Sequence, residues 1–124
     1  MLILDTSAWI EFFDGAESGE IVRDVLKRCA CYTSMVTIAE VTNAALRKNM
    51  DSHALIDIIQ KSSSILVIDQ GIAALAGRLN SERKKSNSKW GMMDSFVLAT
   101  ALAYGLEILT KDNDFKDIEC AKML

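Results

Sequence analysis

The sequence predicts an α/β protein built on a central parallel sheet, and two observations carry that prediction. Along the 124 residues, short apolar runs of strand length alternate with longer segments whose apolar side chains recur at helical spacing. The short runs are also nearly continuous in apolar character, the pattern of parallel strands covered on both faces. Half of the chain is hydrophobic and a quarter is charged, so it can bury an ordinary core without disulfides or structural metal. We read residues 1–124 as a single domain.

The elements follow in order. The first strand, residues 1–4, ends on Asp5. Trp9, Ile10, Phe12 and Phe13 then read as the buried side of a short helix, with a partner surface as the alternative. Residues 18–28 set Ile21, Val22, Val25 and Leu26 on one helical face and Arg23, Asp24, Lys27 and Arg28 on the other. A second strand is expected at 31–33, helices at 36–47 and 53–61 with Ser52 as N-cap of the latter, and a third strand at 65–68. A helix over 72–84 precedes one over 95–104 that is apolar almost all round and therefore buried, closed by Gly105. A fourth strand at 106–109 and a weaker fifth at 118–123 complete a sheet of four to five strands. With no proline in the chain, Gly, Ser, Asn and Asp must mark the helix ends.

Composition narrows the function classes. The three cysteines, Cys29, Cys31 and Cys120, read as free thiols, and with the lone His53 they are too few for a zinc site. Met1-Leu2-Ile3-Leu4-Asp5 reaches an acid too soon for a secretory leader, and no apolar stretch is long enough to span a bilayer, so the expected location is cytoplasmic. The formal net charge of −3 lends no support to nucleic-acid binding, and any basic surface must be local. Arg83, Lys84, Lys85 and Lys89 form one such stretch, with Trp90 available for base stacking; the alternative is a solvated helix end carrying cations near its C-terminus.

In parallel α/β sheets the active crevice lies beyond the carboxyl ends of the strands, so the acids there matter most. Asp5 either caps the next helix or offers its carboxylate to a ligand. Glu40 projects from a largely apolar helical face and needs a base such as Arg47, or a cation. Asp94 opens the most apolar helix, where it or Ser95 could cap, and Asp112 and Asp114 follow the fourth strand in a run that also suits a turn. Jointly they converge on one end of a parallel sheet. Carboxylates so gathered repel one another, a hard divalent cation relieves that repulsion, and the absence of His or Cys among them favours Mg2+ or Mn2+ over zinc.

With Leu4-Asp5-Thr6-Ser7, Glu40, Asp94-Ser95-Phe96-Val97-Leu98-Ala99 and Leu109-Thr110-Lys111-Asp112-Asn113-Asp114-Phe115 in this order, the whole chain resembles the PIN-domain nucleases, especially the short VapC-like toxin ribonucleases. The resemblance implies a three-layer α/β/α sandwich and metal-dependent hydrolysis of RNA. It also implies a main acidic set of Asp5, Glu40, Asp94 and Asp112. Asp114 matches the last motif too, and which of Asp112 and Asp114 lies nearer the metal stays open. Thr6, Ser7 and Thr110 would be supporting hydrogen-bond groups. A small antitoxin protein and a homodimer are the implied partners. Met92-Met93 is bulkier than the small or acidic residues usual before Asp94, which bears on access and removes no ligand.

Other readings compete. A haloacid-dehalogenase-type phosphatase needs a second Asp where Ser7 stands. A receiver domain would use Asp69 and Lys111 but lacks paired acids after the first strand. A calcium loop at Asp112-Asn113-Asp114 lacks its glycine and has Lys116 and Met123 where acids belong. A housekeeping RNA-processing nuclease and a non-catalytic binding domain are the functional alternatives.

Overall fold

The computed structural model describes all residues, 1–124. Five parallel strands form one sheet: β1 (Leu2–Leu4), β2 (Cys31–Ser34), β3 (Ser64–Leu66), β4 (Glu107–Thr110) and β5 (Ala121–Met123). Six helices flank it: α1 (Thr6–Phe13), α2 (Glu17–Arg28), α3 (Met35–Arg47), α4 (Ser52–Ser62), α5 (Gln70–Lys84) and α6 (Met92–Tyr104). A single 3-10 turn, Asn113–Phe115, lies between β4 and β5.

The sheet order is β3-β2-β1-β4-β5. The chain steps outward from β1 through β2 to β3, then returns to lay β4 on the other side of β1. The order therefore reverses between β1 and β4, the topological switch point at which open α/β sheets form their crevice. The amide of Asp5 donates to Leu109 O at 3.0 Å, so the pairing of these two strands runs up to the acid itself.

Alternation along β1 divides the core. Leu2 and Leu4 point to one face, where they meet Ala8 and Trp9 of α1, Val22 of α2, Val41 of α3 and Ile59 of α4. Ile3 points to the other, against Val97, Leu98 and Ala101 of α6, with Trp90 and Phe115. Ala99 on α6 contacts Ile72 and Ala76 of α5, which explains why α6 is apolar nearly all round. α1 packs on α2 closely enough that a Cβ on Gly19 would lie 2.5 Å from Glu11 O, so only glycine fits there. Trp9 is fully buried, so the aromatic run after Asp5 starts as core, with Phe12 and Phe13 packed beside it.

Boundaries differ from expectation in explicable ways. Asp51, not Ser52, caps α4, accepting from Ala54 N. β3 stops at Leu66 because its partner Ser34 is the last residue of β2, leaving Val67 nothing to pair with. α6 begins at Met92 because Gly91 is the N-cap, which puts Asp94 and Ser95 inside the first turn. Gly105 closes α6 in the left-handed conformation, φ 65°.

Candidate active site

Asp5 occupies the N-cap position of α1, yet its side chain makes no capping bond. Its Oδ2 instead accepts from the hydroxyls of Ser7 and Thr110, each at 2.9 Å. Those hydroxyls reach further: Ser7 Oγ accepts from Lys111 N at 2.9 Å, and Thr110 Oγ1 accepts from Asp112 N at 3.0 Å. Two hydroxyls thus staple the end of β1 to the turn after β4 and fix the orientation of one buried carboxylate.

Glu40 stands on α3 opposite. It makes no ion pair with Arg47; its Oε1 accepts from the Thr6 hydroxyl at 2.6 Å, and Thr6 Oγ1 lies 3.2 Å from the buried Thr37 hydroxyl. Asp94, in the first turn of α6, accepts from the N-cap amide of Gly91 at 3.2 Å. The capping expected of it is therefore made. It does not exclude a second role, because a charged acceptor at a helix N-terminus keeps free lone pairs. Asp112 begins the 3-10 turn and accepts from Asp114 N at 2.9 Å.

Electrostatics show that these acids share one space. Burial is the main cause that raises the Asp5, Glu40 and Asp94 carboxyls above their ordinary values. The charge of Asp112 adds to all three, and that of Asp5 adds to Glu40 and Asp94. Asp94 is pushed up to about 6, by burial first and then by Asp5, Asp112 and Glu40, against the lowering effect of the Gly91 amide. None of the protein's ion pairs involves the four acids.

The donor set fits a hard divalent cation. It consists of carboxylates and hydroxyls with no His or Cys, and its mutual repulsion lacks any compensating base. The side chains are not drawn into a closed cage of three or more ligands. Magnesium suits such an open arrangement, because it keeps several of its waters and is commonly held through one or two carboxylates.

Asp114 stands apart. Its Oδ1 accepts from Asn87 Nδ2 at 3.2 Å, its backbone oxygen accepts from Arg83, and its charge is not among those that raise the other acids. It lines a neighbouring polar depression of about 490 Å³ with Asn87, Asn113 and Lys116.

The basic stretch divides. Lys84, Lys85 and Lys89 are exposed. Arg83 is half-buried at the edge of that depression: its Nη2 donates to Asp117 Oδ1 at 2.9 Å and to Asp114 O at 3.0 Å, so part of its charge is met by the exposed Asp117 carboxylate. Trp90 is fully buried, which removes it as a base-stacking platform. Trp90 lies inside because Phe115, on the loop after β4, packs against it.

Asp69 caps α5 through Ile72 N, a structural task that accounts for the acid a receiver domain would have used. Sequence reasoning missed Thr37 and Asn87. Thr37 precedes Glu40 by three residues, helical spacing that put it on the same face; Asn87 carried no local signal.

The family profile described as PIN domain matches residues 2–119. Ribonuclease VapC11 of Mycobacterium tuberculosis is 28% identical over 121 residues, spanning 93% of this chain and 89% of that protein. Among solved structures, a toxin-antitoxin complex from Klebsiella pneumoniae superposes with a TM-score of 0.80 at 24% identity, covering 99% of this chain and 97% of that one. VapC20 of Mycobacterium tuberculosis, described as a sarcin-ricin loop cleaving toxin, gives a TM-score of 0.78 at 14% identity, covering 96% and 95%. VapBC2 from Rickettsia felis, bound to a DNA fragment from its promoter, gives 0.76 at 16%, covering 99% and 96%. These likenesses confirm the α/β/α architecture.

Proposed function

The chain belongs to the PIN-domain family, and from that premise we propose that it is an endoribonuclease dependent on Mg2+ or Mn2+ and the toxin of a toxin–antitoxin pair. The observation that carries the reading is the gathering of Asp5, Glu40, Asp94 and Asp112 at the sheet's switch point with no base among them, where burial and the charge of Asp112 raise the other three carboxyls. The names of the relatives, a ribonuclease and toxin-antitoxin complexes, support RNA as substrate and a small antitoxin as partner. A homodimer and a cytoplasmic location belong to the same proposal. No helix is long and apolar enough to cross a membrane.

Asp5, Glu40, Asp94 and Asp112 are the proposed ligands, directly or through water. Asp112 is preferred to Asp114 because its charge, and not that of Asp114, raises the other three carboxyls. A bound divalent cation supplies charge relief at the scissile phosphate and lowers the pKa of an attacking water. The chain's own contribution is orientation and proton handling. Ser7 and Thr110 hold Asp5 Oδ2, and Thr6 holds Glu40 Oε1, so neither carboxylate must be ordered when substrate arrives. Asp94, with its carboxyl near 6, exchanges a proton close to neutrality and is the group best placed to give one up as the site fills. Lys84, Lys85 and Lys89 attract the RNA backbone from outside.

The test is cleavage of structured RNA by purified protein with magnesium, with manganese and with chelator, alongside Asp5→Asn. Cutting that needs the ion and is absent in a folded Asp5→Asn variant supports the enzyme. Binding of ion without cutting makes it a non-catalytic PIN domain. Co-expression with the product of an adjoining small gene separates toxin from housekeeping nuclease: growth arrest relieved by that product is expected, and no arrest refutes the toxin role.

A further inference from the structure

Trp90 and Arg83 lie outside the carboxylate cluster, yet together they touch two of its acid-bearing segments, the first turn of α6 and the loop after β4. The indole Nε1–H of Trp90 donates to Ser95 Oγ at 2.6 Å. Ser95 follows Asp94 directly, and its hydroxyl also lies 3.2 Å from Asn80 Oδ1 on α5 and 3.4 Å from Gly91 O. One end of the ring therefore pins the first turn of α6 and ties it to α5. Its body meets Phe115, three residues past Asp112, at 4.9 Å between centroids and 60° between planes.

Arg83 completes the junction. Its guanidinium lies over the Trp90 ring, 4.1 Å from the centroid, and reaches past it to the loop after β4. Nη2 donates to Asp114 O and Asp117 Oδ1, and Nη1 donates to Asp117 Oδ2 at 3.3 Å. Nε is buried without a partner. An arginine that leaves a buried donor unpaired while stacking on a buried indole is held by the geometry of the whole junction, not by one bond. Asn87 adds a bond to Asp114 from the segment between α5 and α6.

We propose that Trp90 and Arg83 are positioning residues that lock the Asp94 turn and the Asp112 loop to each other, so that loosening either segment loosens both. The catalytic consequence rests on the nuclease reading; the mechanical coupling does not. Two acids on separate elements can share a cation only if the distance between them is fixed, and at this junction a single side-chain stack contacts both elements.

The experiment is amide hydrogen exchange on the intact protein, wild type against Arg83→Met and Trp90→Phe. Arg83→Met removes the loop bonds and the cation but keeps an apolar stem. Trp90→Phe keeps a ring but removes the bond to Ser95. Coupling predicts that each variant speeds exchange about tenfold in both segments, at Ser95 and at Asp114 to Lys116, the scale of one lost desolvated cation–π contact or hydrogen bond. Acceleration confined to the segment whose bond was removed overturns the proposal. Should Trp90→Phe fail to fold, Arg83→Met alone decides, because it has no direct bond to the α6 turn. In RNA cleavage both variants should lose kcat about tenfold with KM unchanged, and unaltered kcat also overturns it. A wild-type protein that does not cut RNA refutes the nuclease reading while the exchange result still decides the coupling.

Discussion

Replacing Asp94 by asparagine should stabilise the metal-free protein near neutral pH, even though it removes a helix-capping carboxylate. Asp94 is pushed from 3.8 up to about 6, which means that folding penalises its ionised form. A displacement of that size corresponds to about 3 kcal/mol. The site is only partly buried, so solvent screening reduces the penalty to about 1–2 kcal/mol. The sign follows from linkage: the folded state holds the proton more tightly than the unfolded one. The penalty is therefore absent well below pH 3.8, grows as pH rises between 3.8 and 6, and is complete above. Urea denaturation of wild type and Asp94→Asn, each with chelator, should show their stability difference moving in favour of the variant by about 1–2 kcal/mol between pH 3.5 and 7.5. Asparagine keeps an acceptor oxygen for Gly91 N, so the cap survives in weaker form and shifts the baseline, not the pH dependence. A difference that stays flat across that range, or that moves toward wild type as pH rises, would refute the claim that burial, with the neighbouring acids adding to it, penalises ionised Asp94.

Thr110→Val deletes the hydroxyl that joins Asp5 to the Asp112 amide. Leaving a buried carboxylate and an amide short of partners should cost about 1–3 kcal/mol by denaturation, and cleavage should fall by at least about tenfold; unchanged kcat would show that Asp5 needs no such brace. Charge reversal of Lys84, Lys85 and Lys89 together should weaken RNA binding and reduce the magnitude of the salt slope by about 2, since each single-strand phosphate contact contributes roughly 0.7. An unaltered slope would return these lysines to the role of solvated helix-end charges. Divalent manganese should raise the melting temperature of wild type at pH 7.5 and raise it less for Asp94→Asn, as expected when an ion binds the folded state alone; equal shifts would place the ion elsewhere.

The fold was legible because its signals are local and repeated. Continuous apolar runs marked the strands of a parallel sheet, and the all-round apolar character of α6 announced a helix packed on both the sheet and α5. Asp5 was ambiguous by itself, since a cap and a ligand share the same sequence position; only the hydroxyls of Ser7 and Thr110, more than a hundred residues apart in the chain, distinguish them. Ser52 misled because two capping residues stand side by side, and the backbone placed Asp51 at the turn. Trp90 was misread because an aromatic residue near a helix end looks exposed in sequence. Its burial depends on the loop carrying Phe115, about twenty-five residues later. Long-range closure of this kind leaves no periodic trace, whereas the Glu40–Thr37 pair on one helix face did.

Whether four acids from four separate segments act on one cation is decided by a crystal soaked in manganese at pH 7.5 and measured for anomalous scattering. A peak is expected at the switch point between β1 and β4, at coordination distance, about 2.0–2.6 Å, from Asp5 and at least one of Glu40, Asp94 and Asp112, with water completing the shell. A peak held instead by Asp114 and Asp117, or none at saturating manganese, would contradict a cation shared by these acids.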